Sequence, residues 1–246
     1  MLPEKRFPIN FGATIGGFAG DSLEKTIKKI GDLGFEAIEL YGYKGRYHRI
    51  IGAVRPGCWF HELGKSDFKK MRKWLKRFKR VSIHTSTAAF GTPLFTINKR
   101  IQKEVIWQFK KIIAAAGELE AGIVNSHCDP KDEYPLEMYW QEMLDVYGDL
   151  GNCARRHGIR FTIETLFPPT LQTYKQLIEE IDHPCVGSCL DFGHIIKCGE
   201  DVPAKLRGTQ EGEKLANEIA RRHIAALGNK VWHIHLHDVR RLPNGS

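Results

Sequence analysis

Carboxylates and imidazoles recur near the ends of β-type segments in this chain. Glu164 lies in Arg160–Thr165, Asp191 closes Val186–Asp191, and His235 lies in Val231–His237. Glu39, His84 and His127 occupy comparable positions in or just beyond Ala37–Tyr41, Val81–Ser86 and Gly122–Ser126. Successive side chains of a strand point to opposite faces. Phe161 and Ile163 then oppose Thr162 and Glu164. Trp232, Ile234 and Leu236 oppose His233, His235 and His237. Leu190 opposes Cys189 and Asp191, Ile83 opposes His84, Leu40 opposes Glu39, and Val124 opposes Asn125 and His127. Six ionisable groups converging on one mouth are costly to desolvate bare. A divalent cation offsets both the repulsion and the desolvation, and carboxylate oxygen with imidazole nitrogen suits Zn, Mn, Fe or Co better than Ca. Taken singly, each residue is as readily a hydrogen-bonded core or rim group. Glu39 reads as structural or substrate-orienting, and His233, roughly 7 Å deeper than His235, as a packed interior histidine. Glu164, Asp191 and His235 on three consecutive strands together predict a metal site.

Positioning such groups requires a particular scaffold. Seven strand candidates, the six above and Ile9–Thr14, alternate with helix candidates at Leu23–Leu33, Ser66–Phe78, Lys99–Leu119, Leu136–His157, Leu171–Ile181 and Gly212–Leu227. This alternation predicts an α/β fold with a parallel sheet flanked by helices, and 246 residues is close to the length of one (β/α)8-type barrel. No linker splits the chain, so 1–246 reads as a single barrel domain. The longest irregular stretches, Gly42–Gly64, Thr87–Ile97 and Ile195–Gln210, all follow strands, where a barrel builds its site.

Composition narrows the class. The formal net charge is +8, and much of the excess sits on an amphipathic helix between Lys65 and Arg80, read as a solvated outer helix in preference to a phosphate-binding surface. The six cysteines form no CxxC pair, which argues against a zinc ribbon or disulfide framework. No apolar run approaches a membrane span and no signal peptide is legible, so the expected setting is cytoplasmic, with no membrane partner.

The segments Thr162-Ile163-Glu164-Thr165, Cys189-Leu190-Asp191-Phe192-Gly193-His194 and His233-Ile234-His235-Leu236-His237-Asp238 resemble the strand ends of the xylose isomerase-like barrel superfamily, and Gly34–Leu40 is similar to its second strand. That superfamily includes sugar-phosphate isomerases, ketose 3-epimerases and the endonuclease IV type of abasic-site nuclease. The resemblance implies Glu164, Asp191 and His235 as metal ligands, and Glu164, which would lie beside the metal and the reacting carbon, is the candidate catalytic base. It places His194 at a position that contacts substrate in the epimerases and a further metal in the nucleases, and His84 and His127 at an extra zinc site of the nucleases. His237 and Asp238 fall at the rim, and Arg240 and Arg241 within reach of a substrate oxygen or phosphate. The implied cofactor is one divalent metal (Mn, Zn, Co or Mg), or more than one Zn if nuclease-like.

The implied activity is a metal-dependent isomerisation or epimerisation of a small sugar or sugar phosphate, by proton transfer through an enediolate. The alternatives are a zinc-dependent abasic-site endonuclease, with nucleic acid as partner, and a non-catalytic metal- or sugar-binding barrel. One departure stands out. The residues after Asp238 do not read as another strand and helix, so the eighth β/α unit and the glutamate it carries in the superfamily are expected to be missing. An unclosed sheet would leave edges that favour self-association, hence an expected homo-oligomer.

Overall fold

The computed structural model describes residues 10–45, 47–48, 52–131, 134–197, 202–206 and 209–236. His237, Asp238, Arg240, Arg241, Cys198 and the expectation of a missing eighth unit lie outside them.

Among the described residues, seven parallel strands form one sheet: β1 (Gly12–Thr14), β2 (Ala37–Tyr41), β5 (Arg80–His84), β6 (Ile123–His127), β7 (Arg160–Glu164), β8 (Val186–Asp191) and β9 (Val231–His235), in that spatial order. Strands that follow one another in sequence are neighbours in space, the arrangement that right-handed crossovers produce. The sheet curls. Glu39 on β2 and His233 on β9 sit one place from one end and at the other end of the strand order, yet their side chains are 2.9 Å apart across the interior.

The helices α1 (Leu23–Asp32), α2 (Lys65–Leu75), α3 (Lys99–Glu118), α4 (Trp140–Arg156), α5 (Leu171–Ile181), α6 (Phe192–Lys197) and α7 (Gln210–Leu227) connect the strands. Their starts are set chemically. Ser22, Asn98, Thr170 and Thr209 each accept a hydrogen bond from an otherwise unpaired backbone N–H of the first turn. Past α1 and α4 the chain turns at Gly34 (φ 86°) and Gly158 (φ 68°), backbone that favours glycine. Each helix buries an apolar stripe, such as Phe68, Met71 and Leu75 of α2, against the outer faces of the strands. The cationic outer face of α2 and the turn after it is partly paired, Arg72 with Glu118 and Arg77 with Asp32.

Several boundaries differ from expectation. Val81–Ser86 is shifted to Arg80–His84, and the first strand is only Gly12–Thr14, with Ile9 outside the described residues. The stretch after β2 holds a small antiparallel pair, β3 (Tyr47–His48) with β4 (Ala53–Val54), and Phe192–Lys197 is helical. Two-residue strands and a six-residue helix are too short to show a period in sequence. No helix among the described residues is long and apolar enough to cross a membrane. Cys58, Cys128, Cys153, Cys185 and Cys189 are unbridged.

One polar cluster fastens the segment after β6 to the helical layer. Lys131, 7% exposed, donates to Glu142 at 2.6 Å, and Lys99 and Gln102 donate to the other carboxylate oxygen at 2.5 and 2.6 Å. Burial alone would raise the Glu142 carboxyl, but these donors outweigh it and hold it at about 2. A carboxyl lowered in the folded state stabilises the fold above its unfolded pKa, and that stabilisation is lost as pH falls towards the folded value. Glu142→Gln is therefore expected to lower stability by about 2–3 kcal/mol at pH 7. The deficit should shrink to about half by pH 3, as read from urea midpoints of the two proteins.

Candidate metal centre

Register brings the inward-facing residues into rows. His127, Glu164, Cys189 and His233 lie side by side across four neighbouring strands, and Asp191 pairs with His235. Glu164 is 1% exposed. Its Oε1 lies 2.9 Å from His194 Nδ1 and 3.3 Å from His127 Nε2. Its Oε2 lies 3.2 Å from His84 Nε2 and 3.3 Å from His235 Nδ1, and accepts from the Asn125 amide at 2.5 Å. Asp191 lies alongside, with Oδ2 at 3.2 Å from His235 Nδ1. Its Oδ1 accepts from the His194 backbone N–H at 2.7 Å, so Asp191 caps the short α6 and thereby fixes His194 over Glu164. Below this layer Glu39 Oε2 accepts from Ser82 Oγ at 3.1 Å and meets His233 Nε2 at 2.9 Å and His235 Nε2 at 3.2 Å.

Burial pushes the Glu164 carboxyl up, but the four imidazoles of His127, His194, His235 and His84 outweigh it and hold it well below the usual range. Glu39 is likewise held low, burial being overcome by His235 and His233. Burial would lower His235, yet Glu39 and then its other neighbours drive it well above an ordinary histidine.

Two local details test whether a cation fits. His84 Nδ1 donates to the Thr85 carbonyl at 2.7 Å, so in the neutral ring Nε2 carries a lone pair facing a Glu164 oxygen. His194 Nδ1 is buried, lies 2.9 Å from Glu164 Oε1 and 3.9 Å from Asp191 Oδ1, and has no aligned hydrogen-bond partner. Acceptors that face one another unpaired are what a cation, or a second proton on the ring, resolves. Donor atoms of Glu164, Asp191 and His194 lie within 4.8 Å of one another, as do those of His84, His127 and Glu164 and those of Cys189, His233 and His235. The donor set therefore fits a divalent metal.

Residues 27–246 match the family model described as the xylose isomerase-like TIM barrel. This chain belongs to the xylose isomerase-like TIM barrel family. No curated protein sequence matches this family member. Solved structures do. A D-tagatose 3-epimerase-like protein aligns with TM-score 0.68 and 18% identity over 94% of this chain and 76% of its own. A D-psicose 3-epimerase from Clostridium cellulolyticum H10, solved with D-tagatose, aligns with TM-score 0.68 and 13% identity over 96% and 78%. A xylose isomerase-like TIM barrel protein from Mycobacterium smegmatis, in complex with magnesium, aligns with TM-score 0.64 and 15% identity over 92% and 74%. At such identities the likeness is one of fold.

Of the residues singled out in sequence, the structure brings Glu39, His84, His127, Glu164, Asp191, His194 and His235 to one end of this barrel; His237 and Arg241 are outside the described residues. Asn125 carries no distinguishing signal in the sequence, although its parity with His127 puts it on the inward face. It is fully buried, and its carbonyl accepts from Thr162 Oγ1 at 2.9 Å, which turns its amide towards Glu164. Thr162→Val keeps the volume but leaves that carbonyl without this donor. It is expected to cost about 1–3 kcal/mol in urea denaturation, and Thr162→Ser, which retains the hydroxyl, should cost clearly less.

Proposed function

We propose that this chain is a divalent-metal-dependent isomerase or epimerase of a small sugar or sugar phosphate. The observation that carries this reading is the buried Glu164 carboxylate, set among four imidazoles and beside Asp191 at the mouth of the barrel. Glu164, Asp191 and His235 would hold the metal, with His194 adjacent, and Mn, Zn, Co and Mg all accept such donors. When bound, the ion supplies Lewis acidity at the carbonyl and neighbouring hydroxyl of the substrate. Similarity to a D-tagatose 3-epimerase-like protein and a D-psicose 3-epimerase favours a ketose as the substrate class, and the magnesium complex of a third similar protein favours a divalent ion.

Glu164 removes the proton from the carbon next to the carbonyl, the electron pair moves towards the carbonyl oxygen to give an enediolate, and return of that proton from Glu164 to the neighbouring carbon restores the carboxylate and completes an isomerisation. Its environment keeps it ionised and ready to accept. The Asn125 amide, set by Thr162, holds Oε2 of the carboxylate, and Oε1 lies on the His127 and His194 side. His194, beside Glu164 and Asp191, orients substrate oxygens. Glu39, whose oxygens already meet two rings, orients His235 and stands below the substrate. Arg241 is proposed as a contact to a distal oxygen or phosphate.

The test is solvent hydrogen exchange. Metal-loaded protein incubated in deuterated water should label at least one C3 to C6 ketose or ketose phosphate at the carbon beside the carbonyl, and chelation should abolish it. Glu164→Gln should slow labelling by roughly 10²–10⁴. Absence of label across the panel at full metal loading overturns the reading.

A second reading rests on the His84–His127–Glu164 group, which offers another three-donor site beside the first. It is zinc-dependent cleavage at abasic sites in DNA. Incision of an abasic duplex at low salt, lost with chelator and restored by zinc, is its signature, and a protein that labels ketoses but leaves the duplex intact excludes it.

A further inference from the structure

Beneath the mouth, the interior holds a group of different chemistry. Cys189 on β8 is fully buried and points inward beside His233 on β9, and donor atoms of Cys189, His233 and His235 lie within 4.8 Å of one another. Glu39 reaches the same place from β2, 2.9 Å from His233 Nε2 and 3.2 Å from His235 Nε2. The juxtaposition is built by a backbone irregularity. The β8–β9 ladder shifts between Ser188 and Cys189, so that Ser188 pairs with Val231 but Cys189 pairs with His233, and Trp232 is passed over. Bulges of this kind re-aim side chains. Here the bulge puts the thiol opposite an imidazole instead of opposite an indole, and Trp232 packs against Gly187, where an added Cβ would lie 2.6 Å from the ring.

We propose that Cys189, His233 and His235, with Glu39 beside them, form a second metal site, selective for a thiophilic ion such as zinc and separate from the oxygen-rich mouth. A tetrahedral zinc ion held at about 2.3 Å from sulfur and 2.0–2.1 Å from nitrogen requires ligand atoms roughly 3.3–3.7 Å apart, below the 4.8 Å limit within which these donor atoms lie. Thiolate and imidazole favour zinc over magnesium or manganese. Binding takes the thiol as thiolate, its proton leaving to solvent. Glu164, Asp191 and His194 form a three-donor set of their own at the mouth. His235 stands between the two positions, Nδ1 facing Asp191 and Glu164 and Nε2 facing Glu39, and can complete either. An ion in the lower site joins β8 and β9 to β2 across the interior, so its role is to clamp the curl of the sheet.

Cobalt(II) added to metal-free, full-length protein tests this directly. The wild type is expected to develop sulfur-to-cobalt charge-transfer absorption in the near ultraviolet, Glu164→Gln to retain it, and Cys189→Ser to lose it. Survival of the Glu164→Gln band separates this site from the mouth, whatever the outcome for catalysis. His233→Gln, at a less buried position, keeps the thiol and should bind zinc roughly tenfold or more weakly and show a smaller zinc-induced rise in melting temperature. X-ray absorption of zinc-loaded wild type, which needs no variant to fold, should show one sulfur neighbour. Absence of a sulfur neighbour, absence of the cobalt band in wild type, or a band unchanged in Cys189→Ser overturns the proposal.

Discussion

A charged carboxylate removed from water must be neutralised locally, and in this protein that requirement falls on Glu164. Almost none of its surface faces solvent, and its two oxygens are met by side chains from other strands and from α6: His84, Asn125, His127, His194 and His235. Five partners for one carboxylate is a surplus of nitrogen, and the surplus marks the place as built for something beyond internal satisfaction. The same demand explains the second row of interactions. Thr162 sets the Asn125 amide, the Thr85 carbonyl sets the His84 tautomer, and Asp191 sets the start of α6. Each of these contacts decides which way a ring or amide points at Glu164.

The parallel sheet makes this convergence affordable in conformational terms. Strands hold their side chains at fixed intervals, so a single correct register places several groups at once. The curl does the rest, because it brings β2 opposite β9 and closes the far side of the ring of polar groups with Glu39, His233 and His235. The outer faces carry none of this burden and are packed with aliphatic and aromatic residues from the helices.

Most of this plan was legible in the amino-acid sequence, for a physical reason: strict alternation along short strands sorts residues between faces without knowledge of the tertiary structure. Glu164, Asp191 and His235 could be grouped on that ground alone, and the family relationship follows from the order in which such strand ends occur. Parity says nothing about depth or about partners on other strands. It therefore placed Glu39 on the inward face without showing that its oxygens are occupied by His233 and His235, and passed over Asn125, whose type is common in many roles. The register shift at Ser188 and Cys189 was illegible because a bulge changes pairing between strands while leaving the alternation within each one intact. The hairpin of β3 and β4 and the helix α6 were missed because they are shorter than the period that would announce them.

The meeting of Glu39 with His233 has a temporal side. The two residues are 194 positions apart in the chain. Contacts of such separation form only after the entropy of closing the intervening loop has been met, so they belong to the slowest steps of assembly. The lower group of Cys189, His233 and His235 with Glu39 is thus complete only once β9 has met β2 across the interior, whereas the Glu164, Asp191 and His194 set does not depend on that meeting.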